Sequence, residues 1–285
     1  MTGPVGRRAG ARRARRRQRR RLVAAVLAVA VVATLLVTAF FVQRDTPPPA
    51  PAVVDRGRTQ ATLLLQLRAA TGEATASVLL AHDPAVRAGA GLLVPSQVLA
   101  GPVPFGSVLR SGTGAASRSA LQDLVGVTVD AGWVLDGAAA ALLVDAVGGV
   151  EVTVDVAVPV PGGPALAPGP QTLPGPAAVA FATALVEGEA EPVRLARLRQ
   201  LVEGVLARLP GEAEQVGGVL AGLGTGSVIE GTMLDGLAAL LAGLTADGVQ
   251  AEVLPVLPAA PGAGTALDVA ATRVVVERLL AGSRS

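Results

Sequence analysis

The stretch Leu142–Val154, LLVDAVGGVEVTV, carries three signals that predict how this part of the chain folds. An apolar run ends at two adjacent glycines, which are typical of the left-handed residue that follows a helix. After the glycines, valines alternate with acidic or polar residues, which indicates a strand with one solvent-exposed face. A second segment, GPQTLPG at Gly169–Gly175, is rich in turn residues and opens another helical pattern. Together they predict a helix, a strand, a loop and a second helix.

Outward from this unit, short apolar runs and amphipathic runs alternate along the chain. The predicted strands are Thr62–Leu67, Ser77–Ala81, Gly91–Val94, Val127–Val129, Trp133–Leu135, Glu151–Val158 and Val253–Leu257. The predicted helices are Ser117–Val125 with Ser117 as N-cap, Gly137–Val147 capped by Asp136, Pro176–Leu185, Pro192–Leu209, Ala270–Leu280 and one opened by a Thr232–Asp235 capping box. This order predicts an α/β fold in layers, with a central mixed sheet flanked by helices.

The first 58 residues divide into three segments of different composition. Residues 1–21 hold ten arginines and no acid, Leu22–Val42 is an uncharged apolar run of 21, and residues 43–58 form a linker containing PPPAP. About 20 apolar residues cross a bilayer, and arginines before such a span stay in the cytoplasm. We therefore expect a single-pass protein of the cell membrane with an extracytoplasmic domain at residues 59–280. A cleaved signal peptide is the alternative, although its apolar core is normally only about 7–15 residues long.

Composition narrows the function classes. All 24 basic residues are arginine, and the 14 that follow the apolar run face 22 acids, a net charge of −8. A nucleic-acid partner is therefore not expected, because it requires a basic face. The chain has no cysteine and one histidine, His82, which excludes disulfides, thiol chemistry and an ordinary zinc site. No G-x-S-x-G motif supports a serine hydrolase.

Four segments, in order, resemble the LytR-CpsA-Psr (LCP) family, whose members attach lipid-carried glycans to the bacterial cell wall. They are LVGVTVD at Leu124–Asp130, the block Asp136–Val154, the segment Gly169–Gly175, and EPVRLAR at Glu191–Arg197. The resemblance covers Thr59 to Leu209. It implies an LCP-like fold behind an N-terminal anchor.

The chain departs from the family at the positions that carry its chemistry. The resemblance places a metal-binding aspartate at Ala61 and an Arg-Asp pair at Ser96 and Gln97. It also places a pair of pyrophosphate-binding arginines at Thr183 and Leu185. Mg²⁺ takes carboxylate ligands, and phosphoryl transfer depends on positioning and charge neutralisation. The departures therefore imply a degenerate member without a metal site, and Mg²⁺ is expected only if the chain is an active transferase.

Five residues remain as candidate phosphate contacts. By the resemblance these are Arg194 and Arg197, three apart on one helical face, with Glu191 beside them, and more loosely Arg110 and Arg118.

An ordinary amphipathic helix is the alternative for the two helical arginines. On that interpretation they are solvated and pair locally with Glu187, Glu189 or Glu191.

The resemblance and the departures lead to one leading function and two alternatives. The leading one is a membrane-anchored LCP-like envelope protein that binds a polyisoprenyl (pyro)phosphate-linked glycan, or that modulates active relatives in cell-wall glycopolymer attachment. The first alternative is an active glycopolymer–peptidoglycan phosphotransferase with a diverged site. The second is an envelope scaffold without a ligand. The implied partners are the membrane, a polyisoprenyl-phosphate lipid or glycan, and peptidoglycan or envelope proteins.

Overall fold

The computed structural model describes residues 58–186, 188–257 and 264–281. The predicted basic tail and apolar span therefore lie outside the described residues. Within those ranges, no helix has both the length and the apolar character needed to cross a bilayer.

The described residues form ten strands and eight α-helices in an interleaved order. The strands are β1 (Ala61–Arg68), β2 (Ala74–Asp83), β3 (Ala88–Val94), β4 (Leu99–Ala100), β5 (Val103–Pro104), β6 (Ala131–Asp136), β7 (Val150–Val154), β8 (Gly169–Leu173), β9 (Ser227–Glu230) and β10 (Gln250–Val253). The helices are α1 (Phe105–Ser111), α2 (Gly114–Val125), α3 (Gly137–Ala146), α4 (Gly175–Thr183), α5 (Glu191–Leu206), α6 (Ala213–Ala221), α7 (Leu234–Asp247) and α8 (Val269–Leu279).

Six strands form a central mixed sheet in the order β10-β3-β2-β1-β6-β9. Strand β1 runs antiparallel to β2 and parallel to β6, and β10 runs parallel to β3. The prediction of an α/β fold with a central mixed sheet between helices is confirmed.

Helices cover both faces of this sheet, so its central strands read as nearly continuous apolar runs. Leu63 and Leu67 of β1 point into the larger core cluster, which includes side chains of α3 to α7. Leu64, between them, points into the second cluster, with side chains of α1, α2 and α8. Burial on both faces explains why the β1 and β2 sequences lack polar alternation.

The segment that includes the double glycine folds largely as predicted. The Asp136 carboxylate caps α3 by accepting a hydrogen bond from the Ala139 N–H at 2.9 Å. Gly148 and Gly149 have φ values of +80° and +89°, the left-handed conformation that glycine adopts without strain. Strand β7 then alternates buried and exposed residues.

The segment Gly169–Gly175 was predicted as a turn, and this is wrong for its first five residues. They form β8, which pairs with β7 in antiparallel register from Val150 opposite Leu173 to Val154 opposite Gly169. The strand β7 also ends at Val154, four residues before the predicted end.

Four local predictions are corrected by the structure. Helix α2 begins at Gly114, so Ser117 lies buried inside it and is not the N-cap. Residues 127–129 are not a strand, because the hydrogen-bonded strand β6 begins only at Ala131. Helix α7 begins at Leu234 without a side-chain cap, so the capping box does not form. The last strand, β10, ends at Val253, where it was predicted to begin.

Candidate functional site

The parallel strands β1 and β6 end side by side, with Arg68 opposite Asp136 in the register. Beyond this edge lies a cavity of about 660 Å³, which we call the terminal cavity. A volume of roughly 300–1,000 Å³ is usual for small-molecule sites. The cavity is lined by Leu67, Arg68, Ala69, Ala70, Gly72, Thr75, Asp136, Gly137, Val179 and Thr183.

The Asp136 carboxylate in this cavity has a structural role. One of its oxygens caps α3, and the carboxylate lies against the backbone of Gly226. A Cβ on Gly226 would meet the two carboxylate oxygens at 2.4 and 2.5 Å. Glycine at position 226 is thus required for the chain to approach the cap this closely.

Glu191 and Arg194 form a closed hydrogen-bonded network next to the terminal cavity. One carboxylate oxygen of Glu191 accepts from the backbone N–H and the hydroxyl of Ser96, at 2.7 and 2.9 Å. The same oxygen accepts from Nη2 of Arg194 at 2.7 Å. Arg194 also donates to the carbonyl of Thr75, a residue of the cavity wall, and to the Ser96 hydroxyl. The guanidinium is buried, and a carboxylate within the protein already neutralises it.

Arg197 is buried to 1% exposure and pairs with Glu189 through both carboxylate oxygens. It also donates to the carbonyl of Ala184 at 3.0 Å, and its guanidinium lies 5.9 Å from the centroid of the Phe181 ring. Nε of Arg197 is buried with no hydrogen-bond partner among the described residues. Of the two interpretations of these arginines, pairing with Glu189 and Glu191 is the one observed, although both side chains are buried and not solvated.

The structure separates the two remaining candidates. Arg110 packs on Gly72, a residue of the cavity wall, and pairs with Glu73 at 3.0 Å while remaining largely exposed. Arg118 lies at the other end of the sheet, where it donates to the carbonyl of Asp130 and packs on Gly132, near the start of β6. Arg118 therefore does not share a site with the other four candidates.

The expected positions of the lost metal ligands are not close in space. Ala61 pairs with His82 near the end of β2, whereas Ser96 and Gln97 follow Val94, which pairs with Ser77, five residues before His82. A side chain at position 61 and one at position 97 could therefore not bind the same metal ion, so the assignment of a metal-binding position to Ala61 is wrong.

The residues around the terminal cavity do not fit a magnesium site. Asp136 supplies the cavity's only carboxylate among the described wall residues, and it is committed to the cap of α3. No group of three or more His, Cys, Asp or Glu side chains in the described ranges is arranged to hold a metal ion. Mg²⁺ requires hard oxygen ligands, usually including one or two carboxylates.

Of the two expected pyrophosphate-binding positions, only one faces the terminal cavity. Thr183 lines it, but its hydroxyl donates to the carbonyl of Val179 at 2.7 Å. Leu185 is 79% exposed.

Arg68 is a cavity-wall residue that the sequence analysis did not single out. It ends an apolar strand, and no family motif or helical spacing marks it. The only signal was a single arginine directly after an apolar run, followed by the small residues of a turn.

Behind the terminal cavity lies a narrow apolar cavity between β1, β6, α3 and α5. Its volume is about 50 Å³ when counted as the space open to the centre of a water-sized sphere. One water needs roughly 10–15 Å³ by this measure, so the cavity holds only a few small groups in this conformation. Leu67 belongs to the walls of both cavities.

His82 belongs to a separate cluster near the opposite end of the sheet. Its Nε2 lies 2.9 Å from one carboxylate oxygen of Asp247, and the other oxygen accepts from Arg87 at 3.0 Å. These hydrogen bonds, first that of His82 and then that of Arg87, lower the pKa of Asp247. A hydrogen bond from Thr59 likewise lowers the pKa of Asp83.

Solved structures share this arrangement of strands and helices. B. subtilis TagV matches with a TM-score of 0.65 at 15% identity, covering 79% of this chain and 99% of TagV. TagT in complex with LI-WTA matches with a TM-score of 0.66 at 17% identity, covering 80% of this chain and 92% of TagT. The fold is that of the LCP family. A Streptococcus agalactiae protein has the same fold, with a TM-score of 0.69 at 17% identity. The match covers 80% of this chain and 89% of the S. agalactiae protein.

No protein-family model and no curated protein matches the chain. The resemblance noted in the sequence is therefore confirmed at the level of the LCP fold. At 15–17% identity, the chemistry of the site has to be argued from this chain's own residues.

Proposed function

We propose that this chain is a membrane-anchored, extracytoplasmic LCP-like envelope protein that does not itself catalyse glycopolymer transfer. It binds a polyisoprenyl phosphate or pyrophosphate-linked glycan, or modulates active relatives in cell-wall glycopolymer attachment. The observation that carries this proposal is the closed network of Glu191, Arg194 and Ser96 beside the terminal cavity.

The network explains why transfer is not expected. Phosphoryl transfer needs cations that neutralise the charge developing on the transferred group. Arg194 and Arg197 are neutralised by Glu191 and Glu189, so they add no net positive charge for a substrate. Releasing either arginine would leave a carboxylate unpaired in a largely buried place, which is costly.

Binding is supported by the fold and by the two neighbouring cavities. TagT, which shares this fold, has been solved with LI-WTA bound. In this chain a cavity whose wall includes Arg68, Asp136 and two threonines opens next to an apolar one, and Leu67 belongs to both walls. An amphiphilic ligand with an anionic head is the class of molecule that such a pair of cavities suits.

A transfer assay tests the proposal. The full chain, reconstituted in vesicles, is supplied with a lipid-linked glycopolymer, peptidoglycan fragments and MgCl₂, with an active LCP transferase as positive control. We expect no polymer on the peptidoglycan from this chain. Metal-dependent transfer above the protein-free background would instead establish an active transferase with a diverged site.

Native mass spectrometry of the chain purified from membranes tests the binding half of the proposal. We expect a co-purifying polyisoprenyl phosphate or pyrophosphate. A chain that is empty under conditions in which an active relative carries lipid would favour the scaffold function. Variants of Arg197 are unsuitable for this test, because its burial makes loss of folding hard to separate from loss of binding.

A further inference from the structure

Arg68 is a half-buried cation that has no partner among the described residues. It is the last residue of β1 and lines the terminal cavity. In the part of the chain that the structure describes, its guanidinium forms no ion pair and no hydrogen bond. A guanidinium has five N–H donors in a planar fork and is always charged, so these donors are available to water or to a ligand.

The other polar groups of the cavity wall are already engaged. The Thr75 hydroxyl donates to the carbonyl of Leu67 at 3.2 Å, and the Thr183 hydroxyl donates to that of Val179. The Asp136 carboxylate caps α3 and is covered by Gly226. Arg68 is therefore the side chain in the described wall that offers free donors to a molecule in the cavity.

We propose that Arg68 is the direct charge partner of a phosphate-class oxyanion bound in the terminal cavity without a metal ion. The choice of phosphate rests on the proposed function, whereas the role of Arg68 rests on its unpaired guanidinium in an open cavity. Arginine binds phosphate oxygens bidentately through charge-assisted hydrogen bonds.

Charge and space around Arg68 favour an anion over a metal cation. The guanidinium itself repels a divalent cation, and Asp136 is partly compensated by the N-terminus of α3, a ten-residue helix whose first residue, Gly137, lines the cavity. The turn after β1 contributes only small side chains, Ala69, Ala70 and Gly72, which leave room for the oxyanion next to Arg68.

Leu67 gives the oxyanion an apolar neighbour. Because it borders both cavities, a phosphate ester with an apolar tail can place its head at Arg68 and the start of its tail against Leu67. Free pyrophosphate shares the head chemistry but not this second contact.

The test is calorimetric titration of the full chain in neutral detergent with three probes, farnesyl phosphate, inorganic pyrophosphate and farnesol, first with EDTA and then with MgCl₂. We expect farnesyl phosphate to bind equally well in both buffers. Replacing Arg68 by glutamine should weaken the binding of farnesyl phosphate by about tenfold or more, because charge-assisted hydrogen bonds are lost. Arg68→Lys keeps the positive charge but loses the planar set of donors. Its affinity for farnesyl phosphate should therefore lie between those of the wild type and Arg68→Gln. Arg199→Gln, which removes a half-exposed arginine from α5, is the matched control and should bind like wild type.

Each outcome decides a separate point. If Arg68→Gln binds farnesyl phosphate as well as the wild type does, or if binding requires MgCl₂, the proposed role of Arg68 is overturned. The proposed function stands in that case as long as a polyisoprenyl phosphate still co-purifies with the chain. Absence of binding of both anions to the wild-type chain overturns this inference, and the co-purification experiment then decides the proposed function by itself. Equal affinity for pyrophosphate and farnesyl phosphate supports an oxyanion site whose natural ligand is a free phosphate. Thermal melting of each variant shows whether it is folded.

Discussion

Arg197 shows at the scale of one residue how a phosphate-binding pattern becomes part of a protein core. Its guanidinium is buried against Phe181 and held by both oxygens of Glu189. We predict that Arg197→Ala lowers the free energy of unfolding by about 3–5 kcal/mol, because it leaves the Glu189 carboxylate buried without its partner. Urea unfolding of the full chain in neutral detergent, followed by tryptophan fluorescence, measures this change.

Arg199→Ala is the matched control, two residues further along the same helix. Arg199 is half-exposed and lies 3.8 Å from Glu203, and such surface pairs contribute roughly 0–1 kcal/mol. A loss of stability in Arg197→Ala no greater than that in Arg199→Ala would mean that the buried pair is not formed.

The sequence allowed the candidate site to be predicted only in part, for reasons that are local to each charge. Helical spacing places Arg194 and Arg197 together, and the structure agrees. Whether a guanidinium is free depends on which acids fold against it, and Ser96, which binds Glu191, is 95 residues distant in sequence. The unpaired charge of Arg68 could not be recognised without the positions of all the carboxylates.

At the scale of elements, strands buried on both faces were the most predictable, because an apolar run is required there whatever the topology. Strand β8 was missed because proline and glycine in GPQTL indicate a turn. Its pairing with β7, not its own composition, makes it a strand. The predicted cap at Ser117 failed for a similar reason, since the start of α2 is set at Thr113 and Gly114, next to Glu230 of β9.

The close contact between α3 and α4 leads to a second prediction. Gly175 starts α4, and its N–H donates to Asp145 of α3 at 2.7 Å. A Cβ at Gly175 would lie 2.1 Å from the carbonyl oxygen of Ala141. Gly175→Ala should therefore force the helices apart and cost about 1–3 kcal/mol of unfolding free energy, as overpacking does. Denaturant unfolding measures the cost.

Gly218→Ala provides the comparison for that substitution. Gly218 lies on the exposed side of α6, and no atom outside its own helix lies within 4 Å of the added Cβ. Alanine there should stabilise the protein by about 0.5–1 kcal/mol, the difference in helix propensity. Equal effects of the two substitutions would refute the close approach of α3 and α4.

For the whole molecule, the two ends of the sheet have different roles. The end that carries Arg68 and the terminal cavity contains a cation that has no partner among the described residues. At the opposite end, His82 and Arg87 hold Asp247 and Thr59 holds Asp83 through ion pairs and hydrogen bonds, beside a smaller cavity of about 380 Å³. The LCP fold was predictable from segments spread along the chain, whereas this division of roles depends on side chains that meet only after folding.

The hydrogen-bonded carboxylates of Asp247 and Asp83 make the stability of the domain depend on pH. The pKa of Asp247 is lowered in the folded state by its hydrogen bonds with His82 and Arg87, and that of Asp83 by its bond with Thr59. A carboxylate with a depressed folded pKa binds its proton more readily in the unfolded chain. Its stabilising effect is therefore complete above the unfolded pKa of about 4 and disappears as the pH falls through the lower folded value.

We predict that Asp247→Asn lowers the unfolding free energy at about pH 7, and that its difference from the wild type shrinks as the pH falls below about 4 and through the lowered pKa of the wild-type carboxylate. Asp155→Asn is the control, because Asp155 is exposed and, within the described ranges, accepts only a local hydrogen bond, from Val156. Urea unfolding at several pH values measures both variants. A destabilisation by Asp247→Asn that stays constant from neutral to acid pH would show that packing, and not the charge of Asp247, stabilises this end of the sheet.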